Sequence, residues 1–187
     1  MAKLDLVIEP DPRYNRISDR LRVNAEPVDE ITDELRQLAH DMYETMIEEK
    51  GVGLAAPQIG KGIRLVVLHI PAGYDEGIDE DIELKIFNPE IVKAGGRDTD
   101  LEGCLSFPDL VGPVERYTWA IVRGQNAEGE KLRFRARGIF ARVLQHEIDH
   151  LNGVLFFDRM ESVGMLFYPS ELEDAEDEAD AEEAPTA

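Results

Sequence analysis

The 187-residue sequence holds a single cysteine, a single tryptophan and only four histidines. One cysteine excludes an internal disulfide, which fits a reducing compartment. No apolar run approaches the about 20 residues needed to span a bilayer. The opening residues, Met1-Ala2-Lys3-Leu4-Asp5-Leu6, have neither an apolar signal core nor an Arg/Ser-rich presequence character. A cytoplasmic protein without membrane contact is therefore expected. Basic residues are scarce too: 20 Lys and Arg stand against 40 Asp and Glu, a net charge of −20. Nucleic-acid phosphates are held by clustered Lys and Arg, so no direct nucleic-acid site is expected.

The acidic excess is uneven. Residues 171–187 carry nine Asp or Glu and no Lys or Arg. Such a segment has too little apolar matter to bury. It is expected to be a disordered, solubilising C-terminal tail. The remaining residues, 1–170, are of a length for one domain. A hydrophobic fraction of 43% is ordinary for a globular protein.

What the chain does have is His146-Glu147-Ile148-Asp149-His150. Two histidines four apart on a helix lie on one side, about a turn separated. They can hold one metal ion, with the intervening glutamate beside it as proton carrier. The surrounding helix is expected over 139–152. Ile139, Phe140, Val143, Leu144, Ile148 and Leu151 cover most of its circumference. Arg142, Gln145, Asp149 and Asn152 form a narrow polar stripe. A helix so apolar is buried, so both histidines and Glu147 lie inside the protein.

Other elements follow from periodicity. Leu35, Leu38, Met42 and Met46 recur at helical spacing over 29–50, with Asp29 as the start and Gly51 as the stop. His40 falls on this helix and is read as a structural residue. The run 63–70 is a strand buried on both faces, and its His69 is also read as structural. Short strands are expected at 84–87 and 91–92, broken by Asn88-Pro89. The segments 117–122 and 132–136 form a strand pair around Glu128-Gly129. Residues 153–157 are read as a final strand. Helices and strands do not alternate strictly. The expected class is α+β, with antiparallel sheets packed around a buried central helix that carries the metal motif.

A third metal donor must come from elsewhere. A lone cysteine is usually a small buried hydrophobe. Cys104, in Glu102-Gly103-Cys104-Leu105-Ser106, follows a glycine that permits close backbone approach. Carboxylates could serve instead. Three protein donors leave a tetrahedral ion one open position, as catalytic sites do. The loop Gly51-Val52-Gly53-Leu54-Ala55-Ala56-Pro57-Gln58 is weak evidence alone.

Together the three segments, in this order and spacing, resemble the peptide deformylases over about residues 12–160. Residues Gly153-Val154-Leu155-Phe156-Phe157-Asp158-Arg159-Met160 look like the bacterial and plastid branch. The resemblance implies a hydrolase that removes the N-formyl group from the N-terminal methionine of new polypeptides, releasing formate. It implies Cys104, His146 and His150 as ligands of one divalent metal, Fe²⁺ in the cell, with Zn²⁺, Ni²⁺ or Co²⁺ in preparations. It implies Glu147 as general base and acid toward a metal-activated water, with the Gln58 side chain and the Leu105 backbone N–H on the oxyanion. The backbones of Val52, Gly53 and Gly103 would pair with an extended N-formylmethionyl peptide. Val52, Ile139 and Val143 either line a pocket for the methionine side chain or pack the core. The ribosome is a further partner, and a monomer is expected. Two departures stand out. Val111 occupies a position where some bacterial relatives carry arginine, and the acidic tail differs from the basic C-terminal helix that some members use against the ribosome.

Two other readings explain part of the pattern. A zinc endopeptidase would use the helix but give Cys104 and Gln58 no role. A metal-stabilised binding module would leave Glu147 idle. Release of formate, against internal fragments, from formyl-Met-Ala-Ser separates them.

Overall fold

The computed structural model describes residues 3–171, so the tail expected at 171–187 lies outside the described residues except for Glu171. Two helices flank one antiparallel sheet. Helix α1 spans Asp33–Glu48. It starts four residues later than expected because Thr32 is the cap: its side chain accepts the Leu35 N–H. Asp33 and Glu34 in the first turn suit the helix dipole.

The main sheet has five strands in the order β1-β2-β3-β6-β7: β1 Gly53–Ala55, β2 Leu65–Ile70, β3 Ile82–Gly95, β6 Trp119–Gln125 and β7 Lys131–Arg137. Between them in sequence, β4 (Asp98–Cys104) and β5 (Phe107–Arg116) form a separate hairpin. Every strand pair is antiparallel. Strand β2 explains the apolar run around it. Leu65 and Val67 pack with Ala39, Met42 and Met46 of α1, whereas Val66, Leu68 and Ile70 pack on the opposite side. Both faces are covered, so no alternation survives.

Helix α2, Gly138–Leu151, lies on that opposite side, with Leu144, Ile148 and Leu151 against Val66, Ile86 and Val122. Every residue from Ala141 to Leu151 is buried. The architecture is the α+β one expected, antiparallel strands about a buried helix that carries the histidines. Its first turn has no cap of its own, and Asp75 from the β2–β3 loop accepts the Ile139 N–H at 3.2 Å instead.

Two expectations need correction. Asn88-Pro89 does not break β3. Asn88 adopts φ 52° at a bulge, and its amide bonds both the N–H and the C=O of Val28 at 2.8 Å. Residues 153–157 are not a strand. Phe156–Arg159 form a 3₁₀ turn whose phenylalanines pack edge-on against Phe107. Along the polar stripe of α2, Arg142, Gln145 and Asp149 are buried and Asn152 is exposed. Gln145 behaves as an extra strand, accepting the Tyr117 N–H and donating to the Tyr117 C=O.

Candidate active site

Two neighbouring positions on β4 face the same way. Alternation puts Glu102 and Cys104 on one side of the strand, the side turned to α2. Cys104 ends β4, and a two-residue corner, Leu105-Ser106, leads into β5. The N-terminal segment steadies this corner: Glu9 N–H bonds Ser106 O at 2.9 Å, and Val7 N–H bonds Gln58 O at 2.7 Å. One cleft of about 550 Å³ opens here, between β1, the hairpin and α2. Val52, Gly53, Gln58, Gly103, Cys104, Leu105, Ile139, Val143, His146 and Glu147 all line it. Only His150 among the expected site residues does not. It sits one helical turn behind, 1% exposed, with its Nε2 at 3.4 Å from Cys104 Sγ.

The three donors converge. Cys104, His146 and His150 each place a ligand atom within 4.8 Å of the others. The two Nε2 atoms are 3.2 Å apart. Bonds of about 2.0 Å to nitrogen and about 2.3 Å to sulfur, at tetrahedral angles, require donor separations of roughly 3.3–3.6 Å. The donor set therefore fits one ion with little rearrangement. His146 Nδ1 faces Glu102 Oε2 at 2.9 Å. A proton on that nitrogen leaves Nε2 with its lone pair toward the other donors.

Electrostatics agree. Burial opposes a charge on His146, yet Cys104 and the Glu102 carboxylate hold its pKa well above the usual imidazole value. Burial, then the His146 charge, push His150 well below it. Burial would raise Glu102, but His146 and the Arg116 guanidinium hold it well below the usual carboxylate range. Burial pushes Glu147 up to about 7, where a carboxylate both takes and returns protons near neutral pH.

Glu147 is placed by a glycine. A Cβ on Gly53 would collide with the Glu147 carboxylate. Its other oxygen, Oε2, is buried without a hydrogen-bond partner among the described residues. Gly53→Ala is therefore expected to push the carboxylate aside and lower kcat about 100-fold, the order reported for an ångström-scale misplacement. A kcat within threefold of wild type would show that Glu147 can shift without loss. Gln58, 1% exposed, is equally fixed. Its Oε1 accepts the Ala55 N–H at 2.8 Å, so its NH₂ points at Cys104 Sγ, 3.4 Å, and Ser106 Oγ, 3.3 Å.

Val143 belongs to the core and also forms part of the cleft wall. The Val52 carbonyl accepts the His69 N–H across β1–β2. In an antiparallel ladder the next residue, Gly53, then turns its backbone groups to the open edge. Strand β4 likewise hydrogen-bonds a strand on one side only.

The sequence reading passed over what lies behind the donors. Glu102 accepts from Arg116 through Nε at 2.8 Å and Nη2 at 2.9 Å, and from Arg142 Nη1 at 2.9 Å. Arg116 also binds Asp149, which Arg159 grips at 2.6 and 3.1 Å. Glu102 was detectable two residues before Cys104, and Arg142 and Asp149 by helical spacing from His146. Arg116 carries no local signal.

A cysteine sulfur and two imidazoles whose ligand atoms converge beside a buried glutamate form the donor set of a hydrolase that works with one metal ion. The comparisons make this particular. The sequence profile of the polypeptide deformylases matches residues 9–165. A peptide deformylase of Thermomicrobium roseum is 46% identical over 180 residues, covering 96% of this chain and 98% of its own. One from Acidobacterium capsulatum is 47% identical over 143 residues, covering 76% and 82%. Among solved structures, the Ehrlichia chaffeensis enzyme in complex with actinonin superimposes with TM-score 0.76 at 32% identity, covering 99% of this chain and 100% of its own. The Acinetobacter baumannii enzyme bound to Met-Ala-Ser gives 0.73 at 34%, covering 85% and 99%. The chain belongs to the polypeptide deformylase family, metal-dependent hydrolases that remove the N-formyl group from the N-terminal methionine of newly made polypeptides.

Proposed function

We propose that deformylation by this chain runs on one divalent cation held by Cys104, His146 and His150, with Fe²⁺ the working metal in the cell. The carrying observation is the convergence of these donors beside Glu147. When bound, such a cation supplies a Lewis acid and a water of lowered pKa. Glu147 takes the proton of the attacking water and returns it to the departing amine nitrogen. The Gln58 NH₂ and the Leu105 backbone N–H donate to the oxygen that gains charge. Val52, Ile139 and Val143 receive the methionine side chain, and the open edges at Gly53 and Gly103 pair with the following main chain. The Met-Ala-Ser bound by the Acinetobacter relative is the product such a substrate would leave.

Formate release without internal fragments, from formyl-Met-Ala-Ser, tests the reading. Metal identity needs a second measurement. A thiolate–imidazole set generally binds Zn²⁺ more tightly than Fe²⁺, so availability decides which ion fills it. Iron beside a thiolate is open to oxidation, and so is the sulfur. The Fe²⁺ form, prepared without oxygen, is expected to be more active than the Zn²⁺ form and to decay in air. Equal kcat/KM for both forms at matched occupancy would sink the iron preference and leave deformylation standing.

The protein is further proposed to act as a cytoplasmic monomer on nascent chains. A net charge of −20 favours solubility and separation of copies. The catalytic domain is assigned to 1–170. Any contact with the ribosome would use surfaces other than 171–187, because like charges repel RNA phosphate.

A further inference from the structure

The turn Phe156–Arg159 lies outside the three motifs, yet it reaches His146 by two separate routes. The first is direct. The Phe156 ring, 1% exposed, lies beside the His146 imidazole, centroids 6.1 Å apart and planes inclined by 22°. The second is a chain of ion pairs. Arg159 holds both oxygens of Asp149, through Nη2 at 2.6 Å and Nε at 3.1 Å. Asp149 binds Arg116, Arg116 grips Glu102 with two nitrogens, and Glu102 accepts from His146 Nδ1. The turn is itself tied down: Asp158 accepts the Leu155 N–H at 2.7 Å and pairs with Arg22 at 3.0 Å. Arg22 also stacks over the Phe157 ring, 5.6 Å from its centroid.

We propose that this turn is an outer brace of the metal site, in which Phe156 and Arg159 are positioning residues that hold the His146 imidazole on the ion. The inference rests on the metal-site reading above. Its physical content is angular. A bidentate arginine fixes the plane of the carboxylate it holds. Asp149 anchors the Nη1 end of Arg116 through one oxygen, the two nitrogens of Arg116 fix the plane of Glu102, and that plane sets the direction of the His146 ring. Phe156 blocks rotation of the same ring from its face. Partners that orient a ligand in this way typically change metal affinity by about 10–100-fold when lost. Arg159 is suited to a test because its side chain is 49% exposed.

Wild type, Arg159→Gln, Arg159→Lys and Phe156→Leu are each loaded with Zn²⁺, and release of zinc to a chromogenic chelator is timed. Tm is measured for each with and without metal. Arg159→Gln and Phe156→Leu are expected to release zinc about tenfold faster or more. Arg159→Lys, which keeps the charge but loses the fork, should fall between. Metal-free Tm of Arg159→Gln should stay within about 3 °C of wild type, while the gain in Tm on adding zinc shrinks. If release is unchanged in Arg159→Gln, or if loaded and metal-free Tm fall together with their gap intact, the turn only supports the fold and the brace is overturned. A wild-type chain that retains no zinc would overturn the metal-site reading and the brace with it. Zinc retained by wild type and variants alike overturns the brace alone.

Discussion

Glu147→Ala is expected to keep one metal ion per chain and to lose turnover by about 10²–10⁴-fold, the usual contribution of a positioned proton carrier. Cys104→Ala is expected to do the reverse first: it gives up the ion, and activity goes with it. The structural grounds are distinct. Glu147 lines the cleft and is not one of the three converging donors. Cys104 is one of them, and removing it leaves two imidazoles 3.2 Å apart. Metal analysis after gel filtration, alongside formate release, reads both effects. An empty Glu147→Ala with a fully loaded Cys104→Ala would reverse the assigned roles.

Glu102→Ala should give the largest loss of stability. Glu102 is 6% exposed and accepts hydrogen bonds from Arg116, Arg142 and His146. Without it two buried guanidinium groups face each other with one fewer anion between them. Removing one partner of a buried ion pair costs about 3–5 kcal/mol. At roughly 2–4 °C per kcal/mol for a protein of this size, Tm should fall by about 6–20 °C. Metal-free protein is the right sample, because the donor site is then not a contributor. A Tm within 3 °C of wild type would mean that water or Asp149 replaces the carboxylate at little cost.

The sequence made the site legible more completely than the fold. His146 and His150 were legible from their helical spacing and Cys104 through the family resemblance of its segment, and the structure brings the three ligand atoms together. Strand β2 and helix α2 were legible because burial leaves a plain mark on composition. The hairpin was not. Asp98-Thr99-Asp100-Leu101-Glu102-Gly103 has few strand-forming residues, and its pairing with β5 and its packing decide its form. The run Val154-Leu155-Phe156-Phe157 misled in the opposite sense, since a short apolar segment is ambiguous without its partners. The partners of the charged stripe of α2 were illegible for a third reason. Arg142 and Asp149 look like surface residues, and only Glu102, Arg116 and Arg159, from three other segments, make them interior ones.

Strands β1 and β4 are each paired on one side, and Gly53 and Gly103 turn those edges into the same cleft. An unpaired edge on an open surface is a template for any other sheet, and a cause of aggregation. Here the edges lie inside a slot. A folded protein, with its own strands already paired and layers about 10 Å thick, is too bulky to enter; a single extended chain, less than 5 Å across in the pairing direction, is not. Used this way, the slot is a sieve for time as much as for sequence. If substrate pairs at these edges as proposed, the slot would admit an amino terminus that is still extended and would refuse one already folded away.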